Sequence, residues 1–397
     1  MVRKDELVDY DPATGVCRTT PRQVFLELTP RCNLACVHCS KDYGLPHPED
    51  RDMSAATLQT LAPWLLQANS VNLNLVGEPL IAEQFDAALA LCARGTASVG
   101  FNTNGLGLTP ATCDRIVAAR VDSVVVSIDG LESNLPIRGV PYAILRDRLL
   151  ALHAAKVRAG SALPHLGVAM TLMRRNLHEL PRLLADLLPR VPLDYVHLQP
   201  LIEFWETMRG QNPYLQPEAA DVVRRARAQA GAHGVELTLF RSNLLGDEAE
   251  GHDGEALQLG QRSSRFGCND PFYEVKVLAS GAVQSCSWGL AGGFDVNTTP
   301  LDSIWNSDWY RSLRMRLWRR EFTDRCHGCP YVFGSPVNQT SSLQAGVEHS
   351  RAARFRAGAV GRVPRALPPP VERPFLAGRP ARPAQPRFGP GEAPPRG

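Results

Sequence analysis

Seven of the ten cysteines fall into two groups. Cys32, Cys36 and Cys39 have the spacing C-x3-C-x2-C within eight residues, directly behind an apolar run at 24–29. Cys268, Cys286, Cys326 and Cys329 follow far downstream. Disulfides need an oxidising compartment, so clustered cysteines in a chain without a secretory signal point to metal or catalysis. Three thiolates from one short loop can grip three corners of a [4Fe–4S] cube and leave the last iron open to an external ligand. Structural zinc wants four converging ligands, typically from paired C-x2-C units, and this spacing fits that poorly. His38, between two of the cysteines, reads as a shield for the cluster rather than a ligand. Cys17, Cys92 and Cys113 stand alone and are assigned no chemistry; Cys92 and Cys113 lie on apolar helical patterns and read as core.

Apolar runs at 24–29, 71–75, 98–102, 124–128, 166–172 and 195–198 read as strands. Helical patterns at 55–67, 82–93, 110–119, 143–159 and 177–188 separate them. Ser54 and Thr109-Pro110 carry start signals: a side-chain oxygen or a proline where orphan amides need satisfying. Six strands alternating with helices predict a parallel βα array. Val124-Val125-Val126 suits a parallel strand buried on both faces. A further helix at 217–232 and a short strand at 235–240 follow.

Polar residues cluster behind the strands. Gly77-Glu78-Pro79 follows the second, Asn102-Thr103-Asn104-Gly105 the third, and Ser127-Ile128-Asp129-Gly130 the fourth, with Arg138 soon after. Parallel α/β sheets bind ligands at the carboxyl ends of their strands. A carboxylate there suits an ammonium, hydroxyl-binding groups suit a ribose, and a guanidinium suits a carboxylate. With the C-x3-C-x2-C loop, this order resembles the radical S-adenosylmethionine (SAM) superfamily. Val76 stands where many members have a further glycine. The resemblance implies a partial (β/α)6 barrel. It also implies a [4Fe–4S] cluster on Cys32, Cys36 and Cys39 that SAM chelates, and SAM contacts from Gly77, Glu78, Pro79, Asn102, Thr103, Asn104, Ser127, Asp129 and Arg138. Glu78 would meet the SAM ammonium, Ser127 and Asp129 would lie near the ribose, and Arg138 would pair with the carboxylate.

Around the second group, 270–277 has a strand pattern, Gly281 marks a hairpin turn, and a helix opens at Ile304-Trp305-Asn306-Ser307 and runs to about Arg319. Spacing alone leaves zinc and [4Fe–4S] both open here. The order of cysteine, glycine, cysteine, tryptophan-bearing helix and C-x2-C is similar to the SPASM/twitch accessory domain. No cysteine follows Cys329, so the match is to the shorter twitch form. It implies an auxiliary [4Fe–4S] cluster held by Cys268, Cys286, Cys326 and Cys329, with no iron left for substrate.

The predicted fold class is therefore α/β: a partial barrel at 22–240 and a small α+β cluster domain at 263–340, with an N-terminal extension at 1–21 and a linker at 241–262. The segment 352–397 is expected to be disordered, because eleven of the 32 prolines fall there. Ten arginines against two glutamates from Arg351 onward give the tail +8, so the remaining chain carries −5 of the net +3. No nucleic-acid-binding stripe, membrane span or apolar leader stands out, which predicts a cytoplasmic enzyme.

The resemblance implies reductive cleavage of SAM to a 5′-deoxyadenosyl radical that removes hydrogen from an unactivated carbon, fed by a flavodoxin- or ferredoxin-type donor. The first expectation is a dehydrogenase-like oxidoreductase of natural-product biosynthesis, acting on a sugar or aminocyclitol. That choice rests on the similarity of the twitch pattern to that of aminocyclitol- and sugar-modifying dehydrogenases and on the short segment before the first strand. The alternatives are radical modification of a ribosomal peptide (cross-link, thioether or epimerisation) and a non-enzymatic zinc or iron–sulfur sensor. Asp302, Glu203, His197 and Gln199 are further cavity candidates, for which a solvated or core role is the simpler reading.

Overall fold

The computed structural model describes residues 8–39, 41, 51–201, 206–213, 217–239, 268–287 and 289–327. Cys329, Glu203, the linker at 241–262 and the tail at 352–397 lie outside the described residues. One ten-stranded sheet organises the rest, in the order β10-β9-β8-β1-β2-β3-β4-β5-β6-β7. The six expected strands are β1 (Gln23–Leu26), β2 (Ser70–Asn72), β3 (Ser98–Thr103), β4 (Ser123–Ser127), β5 (His165–Leu172) and β6 (Tyr195–Pro200). They pair in parallel in sequence order, and β7 (Glu236–Leu239) extends them beside β6. The sheet does not close; β10 and β7 stand at its two ends.

Strand residues alternate between faces. Val24, Leu26, Val71, Val99, Phe101, Val124, Val126, Leu166, Val168 and Val196 pack in one cluster with Leu58, Trp64, Leu89, Ile116, Leu149, Leu184 and Val223 of the helices. Each such side chain contributes roughly 1.5–3 kcal/mol on full burial. The opposite face is more polar. Across β4 to β6 it carries Ser123, whose hydroxyl lies 2.6 Å from the Tyr195 hydroxyl. Gly167 makes room for that ring, since a Cβ there would come within 2.4 Å of it.

The start signals hold: Ser54 accepts from the Thr57 N–H and Thr109 from the Thr112 N–H. The helix expected at 55–67 is two, α1 (Ala55–Thr60) and α2 (Ala62–Gln67). Pro63 explains the break, because proline has no N–H and clashes with the carbonyl four residues back. The pattern at 82–93 begins late, as α3 (Phe85–Ala93), after a 3-10 turn at Pro79–Ile81. Next come α4 (Pro110–Ala118), α5 (Asn134–Arg138) and α6 (Tyr142–Arg158). A 3-10 turn at Leu177–Glu179 precedes α7 (Leu180–Leu187), and α8 (Pro217–Ala232) matches its expected span.

The second cysteine segment departs most from the reading of 270–277 as all strand. It opens with a helical turn, α9 (Asp270–Tyr273), which Pro271 favours at its start. β8 (Glu274–Val277) follows and pairs in parallel with β1, covering the edge of the barrel's first strand. β9 (Ala282–Gln284) returns antiparallel around Gly281, whose φ is +99°, and β10 (Ala291–Asp295) continues the meander. The accessory hairpin is thus continuous with the barrel sheet. The helix expected from 304 to 319 divides into α10 (Leu301–Trp305) and α11 (Asp308–Trp318), with Ser307 capping the second; α12 (Asp324–His327) carries Cys326.

Residues 8–22 dock on these last helices. Trp305 Nε1 donates to the Thr19 carbonyl at 2.8 Å, and Asn306 makes a two-way exchange with the Cys17 backbone. Tyr10 meets Phe272 edge-on at 4.9 Å. Cys92 and Cys113 are buried in the core, as expected, and Cys17 is buried as well.

Candidate functional site

The first cysteine loop leaves the carboxyl end of β1 and is pinned from both sides. Arg31 makes a bidentate pair with Asp52 at 2.8 and 2.6 Å. On the other side, Gly77 lies against the loop so closely that a Cβ would come within 1.8 Å of the Thr29 carbonyl oxygen. The Glu78 N–H donates to the Arg31 carbonyl at 2.9 Å. The glycine-glutamate-proline segment and the cysteine loop therefore form one packed unit.

Glu78 is buried, and its carboxylate accepts from the Thr103 hydroxyl (2.6 Å), the Asn104 N–H (2.7 Å) and the Leu80 N–H (3.2 Å). Burial pushes it up to about 7, against the pull of those hydrogen bonds. A carboxylate offers about four lone-pair sites. Three are used, which leaves room for an ammonium. Thr103 and Asn104, expected as SAM contacts, orient Glu78 in this structure. Asn104 Nδ2 also reaches the Asn33 side chain at 2.7 Å and Cys32 Sγ at 3.8 Å. The Asn102 N–H donates to Asn74 at 2.9 Å. Pro79 is buried and opens the 3-10 turn whose first N–H, that of Leu80, Glu78 caps.

Ser127 ends β4, half-buried. Asp129, expected near the ribose, is fully buried and committed elsewhere. Its Oδ1 accepts the Thr171 N–H at 2.8 Å and its Oδ2 pairs with Arg138 Nε at 2.7 Å. Arg138 in turn points a guanidinium nitrogen at Cys36 Sγ, 3.9 Å away. His38 Nε2 lies 3.7 Å from the same Asp129 oxygen, behind the loop. Arg138 thus links the ion pair to the cysteine loop.

The donor set fits an iron–sulfur cluster. The Leu34 and Lys41 N–H groups each donate to a cysteine sulfur, Cys32 and Cys39, at 3.4 Å. With Asn104 and Arg138, these donors stabilise thiolates rather than thiols. Burial pushes the Cys32 thiol up to about 12 and Cys36 to about 11, so iron must displace the protons of these two on binding. Among the described residues, no three His, Cys, Asp or Glu side chains converge on one point as ligands of a single ion would.

At the second site, Cys268 precedes α9, Cys286 follows β9 and Cys326 sits on α12. The Leu290 N–H donates to Cys286 Sγ at 3.4 Å and the Thr323 hydroxyl to Cys326 Sγ at 3.1 Å. These donors suit thiolate ligands as well. Of the other cavity candidates, His197 is buried on β6 against the Thr238 hydroxyl at 2.7 Å, and burial pushes its imidazole down to about 3. Asp302 lies on α10, exposed.

Sequence reasoning missed three supports. Glu179 accepts the N–H groups of Leu131, Glu132 and Ser133 and the Ser133 hydroxyl, fixing the turn after β4. Asn176 holds the Asp129 and Thr171 carbonyls, each at 2.9 Å. Asp52 anchors Arg31. Each holds at least one group distant in sequence, and a lone acid or amide carries no signal in spacing.

The profile of the radical SAM superfamily matches residues 26–187, and that of the SPASM iron–sulfur cluster-binding domain matches 268–330. Pre-heme d1 synthase of Dinoroseobacter shibae is 30% identical over 243 residues, 60% of this chain and 55% of that protein. The chain therefore spans about half the length of that relative. The PqqA peptide cyclase of Streptomyces rochei is 28% identical over 338 residues, 81% of this chain and 83% of that protein. Streptococcus suis SuiB, solved bound to its precursor peptide SuiA, shares the fold with a TM-score of 0.59 at 15% identity, over 82% of this chain and 76% of that one.

Proposed function

We propose, from the premise that this chain belongs to the radical SAM superfamily and carries a SPASM iron–sulfur domain, that it modifies a ribosomally made peptide by radical chemistry. The observation that carries this reading is the similarity to the PqqA peptide cyclase, which runs through both domains and over four fifths of each chain. It displaces the sugar or aminocyclitol reading as the first choice. The residues before β1 bear less on the question than their brevity suggests, since they serve to dock on α10 and α11.

When bound, SAM and the two clusters supply the 5′-deoxyadenosyl radical and the redox capacity for a net oxidation such as a cross-link. This chain's own residues supply the geometry. Cys32, Cys36 and Cys39 hold the first cluster, and Cys268, Cys286, Cys326 and Cys329 the auxiliary one. Glu78 receives the SAM ammonium in the place left by Thr103, Asn104 and Leu80. Ser127 faces the ribose. Arg138, anchored by Asp129, presents positive charge to the SAM carboxylate and to Cys36. Gly77 lets the Glu78 segment approach the loop, and Pro79 and Asn102 shape the turns beside it. A flavodoxin- or ferredoxin-type protein supplies electrons.

A small-molecule substrate is the second reading, favoured by the similarity to a protein named as a pre-heme synthase. The test is co-expression with short peptides encoded beside its gene. Mass spectrometry should find a peptide lighter by two hydrogens, or shifted in hydrogen exchange at one α-carbon, with 5′-deoxyadenosine released in step. Peptides left unchanged, with 5′-deoxyadenosine release driven by a tetrapyrrole or aminocyclitol, would reverse the choice.

A further inference from the structure

Lys276 lies on β8 with its side chain fully buried, beneath the segment that carries the second group of cysteines. Its ammonium sits 3.1 Å from Glu274 Oε1 and 3.4 Å from Asp270 Oδ2, and 5.1 Å from the centre of the Phe25 ring on β1. The same Asp270 oxygen accepts the Ser287 N–H at 3.4 Å. Asp270 is two residues past Cys268, and Ser287 directly follows Cys286. One half-buried carboxylate, held by one buried ammonium, thus ties together the two strand-flanking segments that bear these cysteines. Gln284 lies opposite Lys276 across the β8–β9 pair and two residues before Cys286. Its Nε2 is buried and has no hydrogen-bond partner among the described residues.

Burying an ammonium costs several kcal/mol unless opposite charge surrounds it, and removing one member of such a group leaves the others uncompensated. Here the carboxylates of Glu274 and Asp270 face the Lys276 cation. Four thiolates on a [4Fe–4S] cluster add more negative charge, and reduction adds another unit. Burial alone would lower the Lys276 proton affinity, yet Asp270, Glu274 and Cys286 together raise it, so the cation persists across the working pH range. Nearby charge and hydrogen-bond donors are what set the potential of such clusters.

We propose that Lys276 is a positioning residue of the auxiliary cluster: through Asp270 it holds the Cys268 and Cys286 segments in register, and its charge favours the reduced cluster. This rests on the two-cluster reading above. Gln284 is the donor on the same face that a cluster sulfur would complete.

The test uses the full chain with Cys32, Cys36 and Cys39 changed to Ala, so that only the auxiliary cluster loads. Iron per chain after anaerobic reconstitution and the midpoint potential by electron paramagnetic resonance are compared with Lys276→Met, Lys276→Arg and Asp270→Asn. Lys276→Met should load less than half the iron of the parent, or load it with reduction at least tenfold less favourable, which is 59 mV for a one-electron couple. Lys276→Arg, which keeps the charge, should stay within threefold of the parent. Asp270→Asn should lower loading yet make reduction easier, which separates holding from charge. Lys276→Met loading fully at an unchanged potential would overturn the proposal, and so would Lys276→Arg failing as badly as Lys276→Met. A parent with no iron, beside a wild-type chain that holds about four, would instead refute the second cluster itself.

Discussion

Gly77→Ala places one methyl group against the backbone of the first cysteine loop. The new Cβ would lie 1.8 Å from the Thr29 carbonyl oxygen and 2.8 Å from that of Arg31, both main-chain atoms. Ordinary contact begins at 3.4 Å, so the closer approach is about 1.6 Å short. No side-chain rotation relieves it; either the Glu78 segment or the loop must move. Overpacking of this kind costs about 1–3 kcal/mol. The larger effect falls on the site, where a displacement of about 1 Å is worth on the order of 100-fold. The Glu78 N–H to Arg31 bond, 2.9 Å long, is the first to break. The variant should bind SAM about 100-fold more weakly, measured by equilibrium titration of reconstituted protein, and should lose about half its iron. Gly160→Ala is the control: φ is +58° and nothing lies within 4 Å of its new Cβ, so it should cost about 1 kcal/mol in urea denaturation and leave iron and SAM binding intact. A folded Gly77→Ala protein with wild-type iron and SAM affinity would refute the packing between the Glu78 segment and the loop.

Arg138→Met should destabilise the chain by about 3–5 kcal/mol in urea denaturation, because it strands Asp129 in the core; adding Asp129→Asn should recover part of the loss. Glu27 is raised from 4.5 to about 7, chiefly by burial. The folded state therefore holds its proton more tightly than the unfolded one. The stability this gives is fully present below pH 4.5 and is lost as pH rises through about 7. At about 1.36 kcal/mol per unit the span is worth about 3 kcal/mol, so urea midpoints of iron-free protein should fall over that window and fall less in Glu27→Gln. Tyr195→Phe should cost about 1 kcal/mol by the same assay, since it leaves the buried Ser123 hydroxyl without its 2.6 Å partner.

The strand order and the cysteine loop were legible because each leaves a local trace. Continuous apolar runs marked β1 to β6, with β1 and β2 ending three residues earlier than expected, Ser54 and Thr109 announced their helices, and Gly281 its turn. The polar residues behind the strands were found for the same reason: the sheet delivers its carboxyl ends to one place. Long-range partners left no such trace. Asp129 was read as a neighbour of the ribose, and nothing in its spacing announced Arg138 and the Thr171 N–H on its oxygens. The bonds that Thr103 and Asn104 give to Glu78 were equally silent in the sequence. The pairing of β8 with β1 joins residues about 250 positions apart, and no periodicity reports which edge a hairpin will cover. The segment 270–273 read as strand because Phe272 and Tyr273 favour strands, but Pro271 and a short turn decided otherwise. Choice of substrate was the least legible, since nothing in the spacing of cluster ligands encodes it.

The most direct test is SAM cleavage by purified, anaerobically reconstituted protein under a strong one-electron reductant, read as 5′-deoxyadenosine against time. The wild-type chain should hold about eight irons and release 5′-deoxyadenosine, and changing Cys32, Cys36 and Cys39 to Ala should abolish release while about four irons remain. Release that survives loss of those three cysteines, or a wild-type chain that takes up zinc and no iron, would contradict the account.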